Sequence, residues 1–135
     1  MHEFWDTQPV PREGVAPGEI ERGRECKSEP LPLPDDFMWS LSTLDETHLF
    51  LSNYYVSNDT FRLTYTRDTL KWAIQDHVAI RKKDTSELVG YISSAPLDVR
   101  IEGETRKMVQ INFLCIHPSL RSMRLAPILI GEIRR

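Results

Sequence analysis

Residues 110–124 constrain the fold of this chain more than any other stretch. Gln110-Ile111-Asn112-Phe113-Leu114-Cys115-Ile116-His117 has the apolar and aromatic composition of a strand, and Pro118-Ser119-Leu120-Arg121-Ser122-Met123-Arg124 follows as a polar turn. Leu125, Ile128, Leu129 and Ile133 then recur at helical spacing, which predicts a helix starting near Leu125 with one buried face. A turn carrying two arginines and a hydroxyl ahead of a helix N-terminus is suited to an anion. The first helical N–H groups have no internal partner, and the helix dipole is positive at that end. Phosphate fits such a place; the competing reading is a solvated basic turn that only caps the helix.

Upstream, His77–Arg81, Leu88–Ile101 and Lys107–Ile116 read as strands, separated by a polar turn from Lys82 to Glu87 and by Glu102-Gly103-Glu104. Together they predict a three-strand antiparallel meander. Asp45 or Thr43 can cap a helix carrying Leu49, Phe50 and Tyr54 on one side, and Asp68–Ile74 reads as a second, short helix. The class expected is α+β, an antiparallel meander packed with helices. Gly131 weakens the closing helix by about 1 kcal/mol relative to alanine. Residues 1–36 hold Pro9, Pro11, Pro17, Pro30, Pro32 and Pro34 with Gly14, Gly18 and Gly23, a composition that cannot form a packed layer. They are expected to be an extended arm over a domain spanning 37–135, with Phe4 and Trp5 as apolar anchors and a mobile charged stretch from Glu19 to Glu29.

At 135 residues one domain is the default. A net charge of -3 provides no broad basic surface for nucleic acid or anionic lipid, so any anion site must be local. No apolar run approaches the roughly 18 residues needed to span a bilayer, and Met1-His2-Glu3-Phe4 lacks the basic and apolar regions of a secretory leader. With only Cys26 and Cys115, a disulfide framework is not expected, and the chain reads as cytoplasmic. Cys115-x-His117 is not a metal-binding spacing, so no metal is expected.

Asn112-Phe113-Leu114-Cys115-Ile116-His117, followed by Leu120-Arg121-Ser122-x-Arg124-x-Ala126-Pro127, closely resembles the signature of eukaryotic N-myristoyltransferases. Phe4-Trp5-Asp6-Thr7-Gln8-Pro9-Val10-Pro11 is similar to the segment that opens that family's acyl-CoA site. Leu31-Pro32-Leu33-Pro34, Phe37-Met38-Trp39, Tyr55-Val56, Phe61-Arg62 and Leu88-Val89-Gly90-Tyr91-Ile92-Ser93 also fall in family order. The resemblance implies the N-terminal half of an acetyltransferase-like (GNAT superfold) domain. It also implies transfer of a myristoyl group from myristoyl-CoA to the N-terminal glycine amine of proteins, with myristoyl-CoA as substrate and no prosthetic group.

The resemblance further implies roles for individual residues. Glu3, Phe4, Trp5, Phe113, Leu114, Cys115 and Ile116 would cover the thioester and acyl chain, and Ser122, Arg124, Leu125 and Ala126 would hold the coenzyme A phosphates. A buried chain contributes on the order of 0.8 kcal/mol per methylene, so its pocket must be deep and dry. Backbone N–H groups of Phe113 and Leu114, freed by a strand bulge, would steady the oxyanion, which can lower the barrier by several kcal/mol. Tyr55, Val56, Asp59, Phe61 and Arg62 would face the peptide. Each has a plainer reading beside it: Phe113 and Leu114 as core, Phe4 and Trp5 as a ligand-free latch, the loop residues as solvent-exposed connection.

The base is missing from this pattern. A glycine α-amine, with a pKa of about 8, must lose a proton before it attacks. In the resembling family the carboxylate at the chain's own end takes it, whereas here that end is Arg135 and the second half is absent. His77 and His117 are chemically capable substitutes, though His117 also reads as structural. Met123 and Pro118 stand where lysines are common, Gln110 where a glutamate is usual, and the link from Trp72 to His77 is shorter. Ser57-Asn58-Asp59-Thr60 carries one carboxylate where the family has several. Two alternatives therefore stand beside an N-terminal portion of a myristoyltransferase: a non-catalytic acyl-CoA-binding remnant, and a small generic acyl-CoA N-acyltransferase.

Overall fold

A computed structural model describes residues 27–56 and 60–135. Glu3, Phe4, Trp5, Cys26, Asp59 and most of the arm lie outside the described residues. In chain order the elements are β1 (Phe37–Ser40), α1 (Leu44–Tyr54), α2 (Arg67–Ala73), β2 (Asp76–Lys82), β3 (Leu88–Ile101), β4 (Glu104–Ile116), a 3-10 turn (Pro118–Met123) and α3 (Leu125–Ile133). The four strands form one antiparallel sheet in the order β1-β2-β3-β4. The meander expected from the sequence is β2, β3 and β4, and the short β1 adds a fourth strand, pairing Phe37 with Lys82 and Ser40 with Ala79.

Local chemistry accounts for the ends of these elements. Thr43 caps α1 in a full capping box: its hydroxyl accepts from the Glu46 N–H, and the Glu46 carboxylate accepts from the Thr43 N–H. Thr66 caps α2 by accepting from the Thr69 N–H. The β3–β4 hairpin closes at Glu102-Gly103, both at positive φ, the arrangement that matches strand twist in a two-residue connection.

The inner part of the sheet is covered on both faces. On one, α3 lays Leu125 and Leu129 against Phe37, Ile80, Val89, Ile92 and Ile116. On the other, Phe50 and Leu51 of α1 and Leu70 of α2 pack on Ala79, Tyr91, Phe113 and Cys115. Leu49, expected on the inner side of α1, points outward at 63% exposure, and Thr47 takes the buried position. Gly90 lies under α3, where a Cβ would come within 3.3–3.4 Å of Ile80 and Leu129.

The described end of the arm is strapped to α3. The Leu31 N–H donates to the buried Glu132 carboxylate at 2.8 Å, Trp39 Nε1 donates to the Leu31 carbonyl at 2.7 Å, and Arg135 bridges Glu132 at 2.8 Å. The Leu31 side chain lies directly over Gly131, where a Cβ would meet its Cδ1 at 2.6 Å. Glycine in that helix is therefore a docking surface for the arm, which helical propensity alone does not reveal.

Candidate functional site

The β3–β4 ladder breaks at one place. Tyr91 pairs with Cys115 and Ser93 with Asn112, so Ile92 faces two residues, Phe113 and Leu114. This is a β-bulge, and Phe113 occupies the left-handed region at φ 54°. A bulky residue held there costs about 1–3 kcal/mol, so surrounding contacts must impose it. They do: the Phe113 ring meets Tyr65 edge-on at 5.1 Å and Tyr55 at 5.7 Å between centroids. Leu114 turns to the opposite face and packs on the α3 cluster. Anchored on both sides of the sheet, the bulge is a rigid feature of the inner end of β4.

The turn beyond β4 divides its two arginines between different tasks. Arg121 donates from Nε to the Ile116 carbonyl at 3.3 Å and from its guanidinium to the Tyr54 carbonyl at 3.2 Å, tying the end of α1 to the turn. Of the two arginines that made the turn read as an anion site, Arg121 is spent on structure, and Arg124 is the one the resemblance assigns to the phosphates. Arg124 is exposed, adopts the left-handed conformation at φ 55° and makes no side-chain hydrogen bond capping α3. The N-terminus of α3 is thus uncapped by a side chain, and Leu125 and Ala126 are its first two residues. Pro127 follows in the same first turn, where a missing N–H loses nothing.

His77 and His117, the two candidate bases, are both engaged. His117 is the N-cap of the 3-10 turn, with Nδ1 accepting from the Ser119 N–H and lying 2.8 Å from its hydroxyl, and its ring sits edge-on to Tyr54 at 4.6 Å. His77 Nε2 accepts from the Ser42 N–H at 3.1 Å, and its ring stacks on Tyr91. Each acceptor bond requires the ring nitrogen to be unprotonated. Cys115, beside the bulge, is a free buried thiol whose pKa burial pushes up to about 12 against the opposing charge of Arg121. At neutral pH it is a thiol, unsuited to serve as a nucleophile.

The structure brings Tyr55 to the bulge and leaves the other described loop residues more open. Tyr55 is half-buried, with its pKa raised by burial, whereas Val56 and Phe61 are exposed. Arg62 donates to the Ser52 carbonyl at 3.1 Å and so helps close the C-terminal end of α1. Tyr65, which sequence reasoning passed over, stands between Tyr55 and Phe113. Its only sequence signal is an aromatic alternating with polar residues just ahead of the α2 cap. A cavity of about 510 Å³ opens beside Leu120 and Met123, away from the bulge. Lys82 and Lys83 share its walls with Asp35, Asp36 and Asp84, so its charge is mixed. Among the described residues no group of histidine, cysteine and carboxylate side chains could hold a metal ion, and no helix is long and apolar enough to cross a membrane.

With this geometry in hand, comparison with known proteins is decisive. The family model for the N-terminal domain of myristoyl-CoA:protein N-myristoyltransferase matches residues 19–135. The chain is 40% identical to the glycylpeptide N-tetradecanoyltransferase of Dictyostelium discoideum over 99% of its own length and 37% of the relative's. It is likewise 40% identical to glycylpeptide N-tetradecanoyltransferase 2 of Bos taurus, over 99% of this chain and 31% of that protein. A crystal structure of Saccharomyces cerevisiae N-myristoyltransferase with bound myristoyl-CoA superposes with a TM-score of 0.81 at 34% identity, covering 99% of this chain and 37% of the other. The chain spans about a third of the length of the curated relatives it matches. Family model, sequence identity and fold agree, and the chain belongs to the N-myristoyltransferase family.

Proposed function

We propose that this chain is the acyl-CoA-binding N-terminal portion of a glycylpeptide N-tetradecanoyltransferase, built as the first half of an acetyltransferase-like fold. The observation that carries the reading is the bulge at Phe113 and Leu114, one short turn ahead of the uncapped N-terminus of α3. The two features supply what a thioester and a pyrophosphate need, at the two ends of one segment. Ser122, Arg124 and the amides of Leu125 and Ala126 hold the phosphates. The amides of Phe113 and Leu114 receive the thioester oxygen, and Cys115 and Ile116 line the path between. Residues 1–36, with Glu3, Phe4 and Trp5, complete the acyl-CoA site. Tyr55, Val56, Asp59, Phe61 and Arg62 face the peptide whose N-terminal glycine is acylated. A thiol kept protonated by burial suits a protein of the reducing cytoplasm.

The chemistry follows from these groups. The glycine amine nitrogen attacks the thioester carbonyl, the carbonyl oxygen gains charge, and fixed N–H donors at the bulge stabilise it. The C–S bond then breaks, coenzyme A leaves as its thiolate, and the amine proton passes to a base. Burial disfavours the Cys115 thiolate, which favours direct transfer from donor to amine over an acyl intermediate on that thiol. His77 and His117, the histidines that could have replaced the missing base, are each engaged in local hydrogen bonds. That occupancy favours a second reading for the isolated chain, in which it binds acyl-CoA and does not turn it over.

Calorimetry with myristoyl-CoA, run beside a glycine-peptide transfer assay, separates the readings. Binding that Arg124→Ala weakens, without transfer, identifies a donor-binding half. Binding with transfer identifies a catalytic unit with its own base. No binding by the parent chain refutes the acyl-CoA assignment.

A further inference from the structure

Ser93 is 1% exposed on β3, and its hydroxyl donates to the carbonyl of Asn112 across the ladder at 3.1 Å. Asn112 is the last paired residue before the bulge, and its carbonyl belongs to the same peptide unit as the N–H of Phe113. No peptide bond among the described residues is cis, so this unit is trans and its C=O and N–H point in opposite directions. A carbonyl drawn toward β3 therefore sends the Phe113 N–H away from β3, over the outer edge of β4. Among the described residues β4 is the last strand of the sheet, so no strand lies on that side to take the bond.

We infer that Ser93 is the positioning residue of the oxyanion site: its buried hydroxyl fixes the Asn112–Phe113 peptide so that the Phe113 amide is aimed at the thioester oxygen. The inference rests on the acyl-CoA reading above and deepens it. Energetics support a dedicated role. Phe113 is held at φ 54°, a conformation whose strain would be relieved by rotating the adjoining peptide. The aromatic contacts fix the ring of Phe113, whereas the serine hydroxyl is the side-chain group that fixes the orientation of the peptide plane. A donor preset before the substrate arrives needs no reorganisation as charge develops, which is where its catalytic value lies.

The test uses the full 135-residue chain and myristoyl-CoA labelled with carbon-13 at the thioester carbonyl, read by isotope-edited infrared difference spectroscopy. Expected in the parent chain is a carbonyl stretch shifted to lower frequency than in free myristoyl-CoA. Ser93→Ala should return it toward the free value while affinity stays unchanged, because the phosphate grip lies elsewhere. Ser94→Ala, the same truncation at the neighbouring buried serine, should leave the shifted stretch in place. Where turnover is measurable, Ser93→Ala should lower kcat by about tenfold to a hundredfold with KM unchanged, less than the loss from removing a donor outright.

A Ser93→Ala stretch identical to the parent's overturns the role of Ser93 alone. A parent chain that binds with an unshifted carbonyl overturns the oxyanion site at the bulge, and Ser93 with it. A parent chain that does not bind overturns the acyl-CoA reading from which both descend. Should Ser93→Ala lose the fold, Ser93→Cys replaces it, since a thiol is a weaker donor of similar size. A partial return of the stretch then supports the inference and none refutes it.

Discussion

Tyr91 is fully buried at the centre of the sheet, and its hydroxyl has no hydrogen-bond partner among the described residues. It approaches Thr47, whose own hydroxyl is bonded to Ser42. An unsatisfied buried hydroxyl is a desolvation penalty without return, so Tyr91→Phe should stabilise the chain by about 1 kcal/mol in urea unfolding at neutral pH. An unchanged or lower midpoint would mean that the hydroxyl is satisfied. The same burial governs alkaline behaviour. It pushes Tyr91 from 10.0 to about 12 and Cys115 from 9.0 to about 12. In both cases the folded state holds its proton longer than the unfolded one. Stability should therefore be complete below pH 9 and fall from there as the unfolded thiol and phenol ionise, levelling only near pH 12. Cys115→Ala should move the onset of the fall to near pH 10, where unfolded Tyr91 begins to ionise. A curve of unaltered shape in that variant would refute the assignment to Cys115.

At the scale of elements, α3 shows how a residue poor for local structure is required by a distant one. Gly131→Ala gains about 1 kcal/mol of helix propensity. It also places a Cβ against Leu31 Cδ1, the flexible end of a side chain that can rotate away. Overall stability should thus change by less than about 1 kcal/mol. The strap should loosen, seen as faster hydrogen exchange at the Leu31 amide that Glu132 holds. Unaltered exchange there would show that the arm does not depend on the close approach. Helix starts were legible because their causes are local: Thr43 and Glu46 form one motif within four residues, and Leu125 and Leu129 declare their face by spacing alone. The strand β3 was equally plain, whereas β4 begins at Glu104, ahead of the expected Lys107, because the hairpin turn needs only Glu102 and Gly103. The short β1 was not, since four residues between a proline-rich arm and a helix acquire strand identity only by pairing with β2. Leu49 misled because alternation between inner and outer faces of α1 is settled by what covers them, and Thr47 fits the tighter place.

For the molecule as a whole, the candidate site was legible as a motif, and the bulge at Phe113 and Leu114 was expected through the family resemblance and not from the residues themselves. Nothing in the composition of Asn112-Phe113-Leu114 signals a left-handed backbone, a conformation ordinarily taken by glycine, because Ser93, Tyr55 and Tyr65 impose it from other elements. Likewise the division of labour between Arg121 and Arg124 depends on where α1 ends in space. Among the described residues, none covers the apolar side chains on the outer half of the β3–β4 hairpin. Met108, Val109 and Ile111 are exposed at 45%, 57% and 38% on β4, the last strand of the described sheet. A long strand with exposed apolar side chains and an open ladder on one side invites a strand from another chain. Purified chain should therefore self-associate with rising concentration, measurable by sedimentation velocity. Val109→Lys should suppress the association by setting a solvated charge on that strand, and, lying at an exposed position, should alter stability by no more than about 0.5 kcal/mol. If Val109→Lys sediments like the parent at every concentration, association does not run through β4. If it does not, association runs through the outer hairpin, and the exposure of Met108, Val109 and Ile111 is explained by strand pairing and not by packing within the described residues.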